Sequence, residues 1–398
     1  MSHPTQIVHR HFRGLDGLRG LAFLMVFAFH YAMSSHGGGL LTRGLLRATQ
    51  GGWMGVDLFF VLSGFLITGI LLDTRDGPDY FRNFYARRSL RIFPLFYGVL
   101  LLLLLLTPVL HLHWRPGHAW YFLYLGNFAG AYDFTLNDVQ PAVHLTHLWS
   151  LAVEEQFYLI WPLVVLKVRS RRNLLRTAAG ILLGSMALRL FLVHSFGTAA
   201  LEWSYGLLPT HADGLIAGSV CAVLFRKYDT GVLVRRSLPL LLVCGVLLGL
   251  LFWHVGALNY HEARFAVLGY PLLATVCSCL LLRFAMPGHL LERLGSTATL
   301  RFFGRYSYGM YVFHNLFVLV TTPLLRGLQR ATGSMMLGGA AYFTLILAIT
   351  SVCAVLSFHF YEQRWLRLKR RFEYRSHAER TSLSAPNSLP EAAADTPA

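Results

Sequence analysis

Residues Leu15–Tyr31, LDGLRGLAFLMVFAFHY, decide how the rest of the chain is read. Ten residues separate Arg19 from His30, nine apolar and one glycine, so the stretch predicts a membrane helix with an ionisable group near each end. On an α-helix, eleven steps of ~100° return to within ~20° of the starting azimuth after ~16 Å of rise. Arg19 and His30 therefore share one stripe, Arg19 near the mouth and His30 deep. The fixed cation suits an anionic group at one end of an extended ligand, and the imidazole can take a proton near neutral pH at the other. Taken alone, the two residues read as a topology anchor and a packing histidine. Ionisable groups are costly in a bilayer and usually face a site, which weighs the pair towards function.

Outward from this helix, apolar residues make up 55% of the 398 and charged ones 14%, in long uncharged runs. This is the composition of an all-α polytopic membrane protein. The formal charge of +16 does not indicate nucleic acid, because the basic residues are dispersed between hydrophobic segments. Ten crossings are predicted near 17–33, 54–72, 92–110, 148–166, 177–194, 209–225, 237–255, 265–283, 306–322 and 337–358. The segment 118–131, interrupted by Gly126, Asn127 and Gly130, reads as a half-helix. With both termini cytoplasmic, 28 Lys and Arg fall inside, six fall outside and Arg189 lies within a span. Residues 1–375 are expected to form the membrane unit and 376–398, rich in Pro, Ser and Ala, a disordered cytoplasmic tail. No cleavable signal, appended soluble domain or internal repeat is expected. Cys221, Cys244, Cys277, Cys279 and Cys353 lie in apolar runs and read as small packing residues.

The ionisable residues sort by predicted depth. His30, Asp57, Glu154, Glu155, His211 and Asp213 fall in the outer half of the bundle, and Arg19, Arg87, Arg88 and Arg91 at its inner mouth. Arg88 and Arg91, three apart, share a helix face suited to binding phosphate oxygens. Asp16 is expected to pair with Arg19, and Asp73, Asp76 and Asp79 to be solvated. Tyr306, Ser307, Tyr308 and His314 form a polar stripe; Tyr308 and His314 are candidates for the substrate pocket. His111, His113, His118, His144 and His147 cluster about the outer loop with no compact metal spacing, and no metal site is expected. Trp53, Trp114, Trp120 and Trp149 read as interfacial belt residues, with stacking on a sugar as the alternative. Ser63 reads as a small contact residue rather than a nucleophile, and Glu362 as a plain cytoplasmic helix end.

The chain resembles the acyltransferase family 3 integral membrane O-acyltransferases. The resemblance rests on LDGLRG and FHY, GVDLFFVLSGFLIT (Gly55–Thr68), RRSLRIFPLFY (Arg87–Tyr97), HLWSLAVEEQFYLIWP (His147–Pro162), DGLIAG (Asp213–Gly218) and YSYGMYVFH (Tyr306–His314), in the family's order. It implies an enzyme of the bacterial inner (cytoplasmic) membrane that takes an acyl group, acetyl above all, from cytosolic acyl-CoA to a carbohydrate hydroxyl. Acyl-CoA is then a co-substrate, with no permanently bound cofactor, and the acceptor is a surface polysaccharide, lipopolysaccharide or other glycan. Arg19, Arg88 and Arg91 would bind the donor. His30 would be the general base, with a carboxylate, Glu154 first, on its second nitrogen. Asp16, Asp57, Trp149, His211, Asp213, Tyr308 and His314 would support the site or line the acceptor pocket. Acylation of a small glycosylated metabolite such as a macrolide is the nearest variant. A transporter or flippase of an anionic or lipid-linked substrate is the rival from another class, and a non-catalytic membrane scaffold a third.

Overall fold

The computed structural model of the chain describes residues 12–31, 44, 48–132, 138–140, 143–255, 262–316 and 321–373. The expected tail at 376–398 lies outside them. The long helices are α1 (Arg13–Tyr31), α2 (Gly55–Thr74), α3 (Tyr80–Leu105), α4 (Trp149–Lys167), α5 (Arg171–Phe196), α6 (Asp213–Phe225), α7 (Thr230–Val255), α8 (Tyr270–Ala285), α9 (Ala298–His314) and α10 (Met335–Ser357). One short antiparallel pair, β1 (Asp138–Gln140) with β2 (Val143–His144), is the only sheet among the described residues. The chain is an all-α, multi-pass membrane protein. Leu238, Leu242, Val246, Leu250 and Trp253 along α7, with Leu183, Leu190 and Phe191 on α5, stand exposed on the outside, as a lipid-facing surface requires.

Among the described residues six helices are long and apolar enough to cross a membrane, fewer than the ten predicted crossings. These are α2, α3, α5, α7, α8 and α10. The other four predicted crossings correspond to α1 and α4, which carry ionisable residues, and to α9 and α6, which are only seventeen and thirteen residues long. A hydropathy criterion counts a charge against a helix even when that charge faces the bundle interior. The interrupted 118–131 segment becomes two short helices, Ala119–Phe122 and Gly126–Tyr132. Gln156 of α4 ties them down, donating to the Tyr124 carbonyl (2.9 Å) and the Asn127 side-chain oxygen (2.9 Å).

Two helix crossings set the interior. α1 lies against α9 and α2, and α2 against α6. At the first crossing a Cβ on Gly20 would overlap the Leu300 carbonyl oxygen of α9, and one on Gly304 the Asp16 carbonyl oxygen; just before α9, a Cβ on Gly17 would overlap the Gly295 carbonyl oxygen. At the second, a Cβ on Gly64 would overlap the Leu215 carbonyl oxygen and one on Gly218 that of Val61. Backbones this close carry their polar side chains into shared space, the small-residue packing characteristic of membrane helices. α3 carries Pro94 and α4 Pro162, and they are joined by Tyr80 Oη donating to the Pro162 carbonyl (2.9 Å) and Tyr85 Oη to the Leu159 carbonyl (2.9 Å). A π-helical turn, Phe358–Glu362, follows α10.

Candidate active site

The glycines of LDGLRG bring α1 onto α9 and so seat Arg19 between α9 and α3. Arg19, Arg88 and Arg91 line one cavity of about 90 Å³ together with Ser63, Glu154, Glu155, Tyr158, Tyr308 and Tyr311. The Arg88 guanidinium lies over the Tyr158 ring, 4.9 Å from its centroid, one turn beyond Glu154. Ser63 Oγ donates to Glu154 Oε1 at 2.5 Å. Ser63 is therefore more than a small contact residue: it holds the carboxylate. Tyr308 Oη donates to the Ile92 carbonyl (2.6 Å), fixing α9 against the proline turn of α3.

Arg19 and Arg91 also line a second space of about 590 Å³, with Asp16, Arg301, Arg305, Tyr306 and Phe358. Asp16 is thus beside Arg19, as expected. Arg301 and Arg305, which sequence reasoning missed, turn this space into an arginine-rich vestibule. The signal was their four-residue spacing on α9, which puts both on one face. Glu362 lies beside Arg91 as well, lining a small neighbouring cavity, and is 7% exposed. It is buried in the π turn, where Ser357 Oγ donates to it (3.2 Å), and is not a plain helix end.

The histidines gather elsewhere. His30 and His314 rings are 4.9 Å apart, and His314 and His147 rings 5.1 Å, so three segments bring three imidazoles into contact. His30 Nδ1 donates to the Val26 carbonyl one turn back (2.8 Å), which fixes its tautomer. The carboxylate expected in that role, Glu154, is with Ser63 and the arginines instead; the predicted common depth for His30 and Glu154 does not translate into contact. Tyr31 Oη donates to the His314 backbone carbonyl, anchoring the end of α1 to the end of α9. His147 was grouped with the outer-loop histidines but is 3% exposed and faces the bundle. Ser150 and Tyr311 connect the cavity they line to these rings: their hydroxyls are 2.5 Å apart, and Tyr311 Oη donates to the His147 carbonyl (3.0 Å).

Asp57, His211, Asp213 and Trp149 line neither space. Asp57 Oδ1 accepts from His211 Nε2 (3.0 Å), and His211 Nδ1 donates to the Tyr205 carbonyl (2.6 Å). Trp149 and Tyr270 stack on that imidazole, with centroids at 5.9 and 4.5 Å. Trp149 is therefore part of an internal aromatic stack, and Trp53, 2% exposed, is buried against Phe265. Asp213 accepts a two-pronged contact from Arg189 (2.5 and 3.1 Å), both side chains being wholly buried. A lone arginine inside a predicted span was the sequence signal for this pair. Asp73, expected in solvent, accepts from Arg226 (2.9 and 2.7 Å) and is almost buried. These interactions join helices and read as scaffold rather than as part of the cavity.

Comparison with known proteins agrees with the motifs. The chain is 30% identical to the peptidoglycan O-acetyltransferase OatA of Listeria monocytogenes over 91% of its length and 57% of the relative's. It is 28% identical to the putative peptidoglycan O-acetyltransferase YrhL of Bacillus subtilis, covering 91% and 56%. With the O-acetyltransferase OatA of Staphylococcus aureus it shares 27% over 80% and 52%. The chain thus spans about half the length of the curated relatives it matches. No solved structure matches it. The family described as an acyltransferase domain matches residues 12–359, nearly all that the structure describes, and the chain belongs to that family.

Proposed function

We propose that the protein is a membrane O-acyltransferase that moves an acyl group, acetyl in the first instance, from cytosolic acyl-CoA to a hydroxyl of a cell-envelope glycan. The names of its relatives make peptidoglycan the first acceptor to test. The observation that carries this reading is the continuity of guanidinium groups: Arg19 and Arg91 line both the vestibule with Arg301 and Arg305 and the cavity with Arg88 and Glu154. A donor with a phosphorylated head and a thin thioester arm matches a wide basic chamber narrowing into a small one. Each guanidinium offers paired donors to phosphate oxygens. On this reading Glu154 and Ser63 hold the lining around the thioester end. His30, its Nδ1 hydrogen fixed by Val26, offers Nε2 to the acceptor hydroxyl as general base. Transfer is direct, in a ternary complex. The chain crosses a bacterial inner membrane ten times with both termini cytoplasmic, residues 1–375 forming the membrane unit and 376–398 a tail. Asp57, His211, Asp213 and Trp149 serve as scaffold.

The test is the full chain in liposomes, with radiolabelled acetyl-CoA on the side of the termini and peptidoglycan fragments on the other. Alkali-labile label on the glycan, absent with His30→Ala protein that inserts normally, is expected. Wild-type protein that labels no glycan, or His30→Ala protein that labels it equally, refutes the reading.

A further inference from the structure

The outward face of α10 does not end where its apolar residues do. Leu345, Ile349, Val352, Leu356 and Phe360, spaced by three or four residues, all stand exposed and form one stripe along the helix and its π turn. From exposed Leu337 to Phe360 the helix rises ~35 Å, which uses up a hydrocarbon core of ~30 Å. The same spacing then continues through Arg364, Arg367 and Arg371, each exposed, on the short helix Gln363–Arg367 and the 3₁₀ turn Leu368–Phe372 that follow. Residues 363–372 hold five Lys and Arg and no acid. The side chains of Arg364, Arg367 and Arg371 have no hydrogen bond or ion pair among the described residues, and they line none of the spaces around Arg19 and Arg91. Keeping positive charge on the cytoplasmic side asks nothing of helical phase. Here the arginines fall on the stripe that faces lipid.

We propose that Arg364, Arg367 and Arg371 form a docking face for anionic phospholipid headgroups, such as that of phosphatidylglycerol, in the leaflet at the C-terminal end of α10. That leaflet is the cytoplasmic one on the topology proposed above. Phosphodiester oxygens match the forked guanidinium, and a run of basic residues directly past a membrane helix is drawn to an anionic surface. Trp365, 40% exposed beside Arg364, is the residue type that settles at a headgroup boundary. The opposite side of the segment is already fixed. Arg87 Nη1 donates to the Lys369 and Phe372 carbonyls (3.2 and 3.3 Å), and Asn83 Nδ2 to the Glu373 carbonyl (3.1 Å). Lipid binding therefore orders only side chains, not a loose segment, and loses less entropy. Leu366, on the fixed side, lines the arginine vestibule, so the lipid-bound segment is also one of its walls.

The test is the full chain in neutral detergent micelles, titrated with phosphatidylglycerol or phosphatidylcholine and read by native mass spectrometry. Wild-type protein is expected to take up phosphatidylglycerol in preference. Arg364→Gln, Arg367→Gln and Arg371→Gln together are expected to lower that affinity about fivefold per arginine at low salt, and to leave phosphatidylcholine uptake unchanged. Arg367→Gln alone, at the middle of the stripe, should give one such step. The control is Arg169→Gln, Arg171→Gln and Arg172→Gln, which removes the same charge from the exposed turn between α4 and α5 and should keep the preference. No preference in the wild type, an equal loss in the control, or a stripe variant that binds like the wild type overturns the proposal. So does a stripe variant that loses acetyl-CoA binding while keeping phosphatidylglycerol, since the arginines would then belong to the donor. These lipid measurements need no acyl transfer, so a protein that moves no acetyl leaves the docking face standing.

Discussion

Replacing Arg189 by methionine removes four hydrogen bonds at one buried point: two to Asp213 (2.5 and 3.1 Å), one to the Thr210 carbonyl (2.5 Å) and one to Ser185 Oγ (3.0 Å). Neither side chain of the pair has any exposure, so water cannot replace the lost partner. Breaking such a pair from one side costs about 3–5 kcal/mol, because a charge is left buried without its counter-charge. Against a total stability of about 5–15 kcal/mol, that removes a large fraction of what holds the fold together. Removing both charges costs far less, since the desolvation penalty disappears together with the attraction. The expected outcome is therefore asymmetric: Arg189→Met is severely destabilised, and Arg189→Met combined with Asp213→Asn recovers most of the loss. Denaturant unfolding in mixed micelles, followed by tryptophan fluorescence and by monodispersity in size-exclusion chromatography, measures it. The double variant should also keep the wild-type KM for acceptor if Asp213 is scaffold. A double variant no more stable than Arg189→Met would refute the reasoning. Recovered stability with lost acceptor binding would return Asp213 to the substrate pocket.

Arg91→Ala should weaken acyl-CoA binding by about 1.5–3 kcal/mol, the value of a charge-assisted contact; titration with acyl-CoA and its dephospho analogue should show the wild type favouring the phosphorylated donor and the variant losing that preference. Gly304→Val places a side chain on the Asp16 carbonyl oxygen, and overpacking of this kind costs about 1–3 kcal/mol. It should also separate α1 from α9, so that both unfolding midpoint and transfer rate fall, whereas Gly245→Val, whose Cβ meets nothing within 4 Å, leaves both unchanged. A cysteine at exposed Arg115, in a background where exposed Cys353 is serine, should react with an impermeant reagent from outside intact cells; reaction only after permeabilisation would invert the proposed topology.

How much was legible in the sequence differs by kind of feature. Arg19, Arg88, Arg91, Glu154 and Tyr308 could be named from their motifs, and the structure gathers all five around one cavity. What could not be read was which acid meets which base. Depth alone put Asp57, Asp213 and Glu154 within reach of His30, yet they meet His211, Arg189 and Ser63. Those choices depend on where two backbones touch, at Gly64 against Leu215 and Gly17 against Gly295, and helical periodicity carries no information about that. Arg189 and Glu362 were visible but assigned no partner, because a single sequence gives the cost of burying a charge without saying what offsets it. His147 was misgrouped because proximity along the outer loop outweighed its place at the head of α4. The count of crossings suffered the same limit from the other side, since α1 and α4 direct charges inward that mean hydropathy counts as if they met lipid.

The contact between Ser150 and Tyr311 bears on the electrical integrity of the membrane. A site open from both faces at once would be a pore, and a cell that stores energy as a proton gradient could not tolerate one. Here Ser150 and Tyr311 line the smaller cavity, their hydroxyls 2.5 Å apart and latched to the carbonyl of His147, one of the imidazole residues. On the proposed reading, a thioester arm would displace that latch to reach His30 and would fill the passage while it does so. On that reading the passage is closed by tyrosine when empty and by the substrate itself when working.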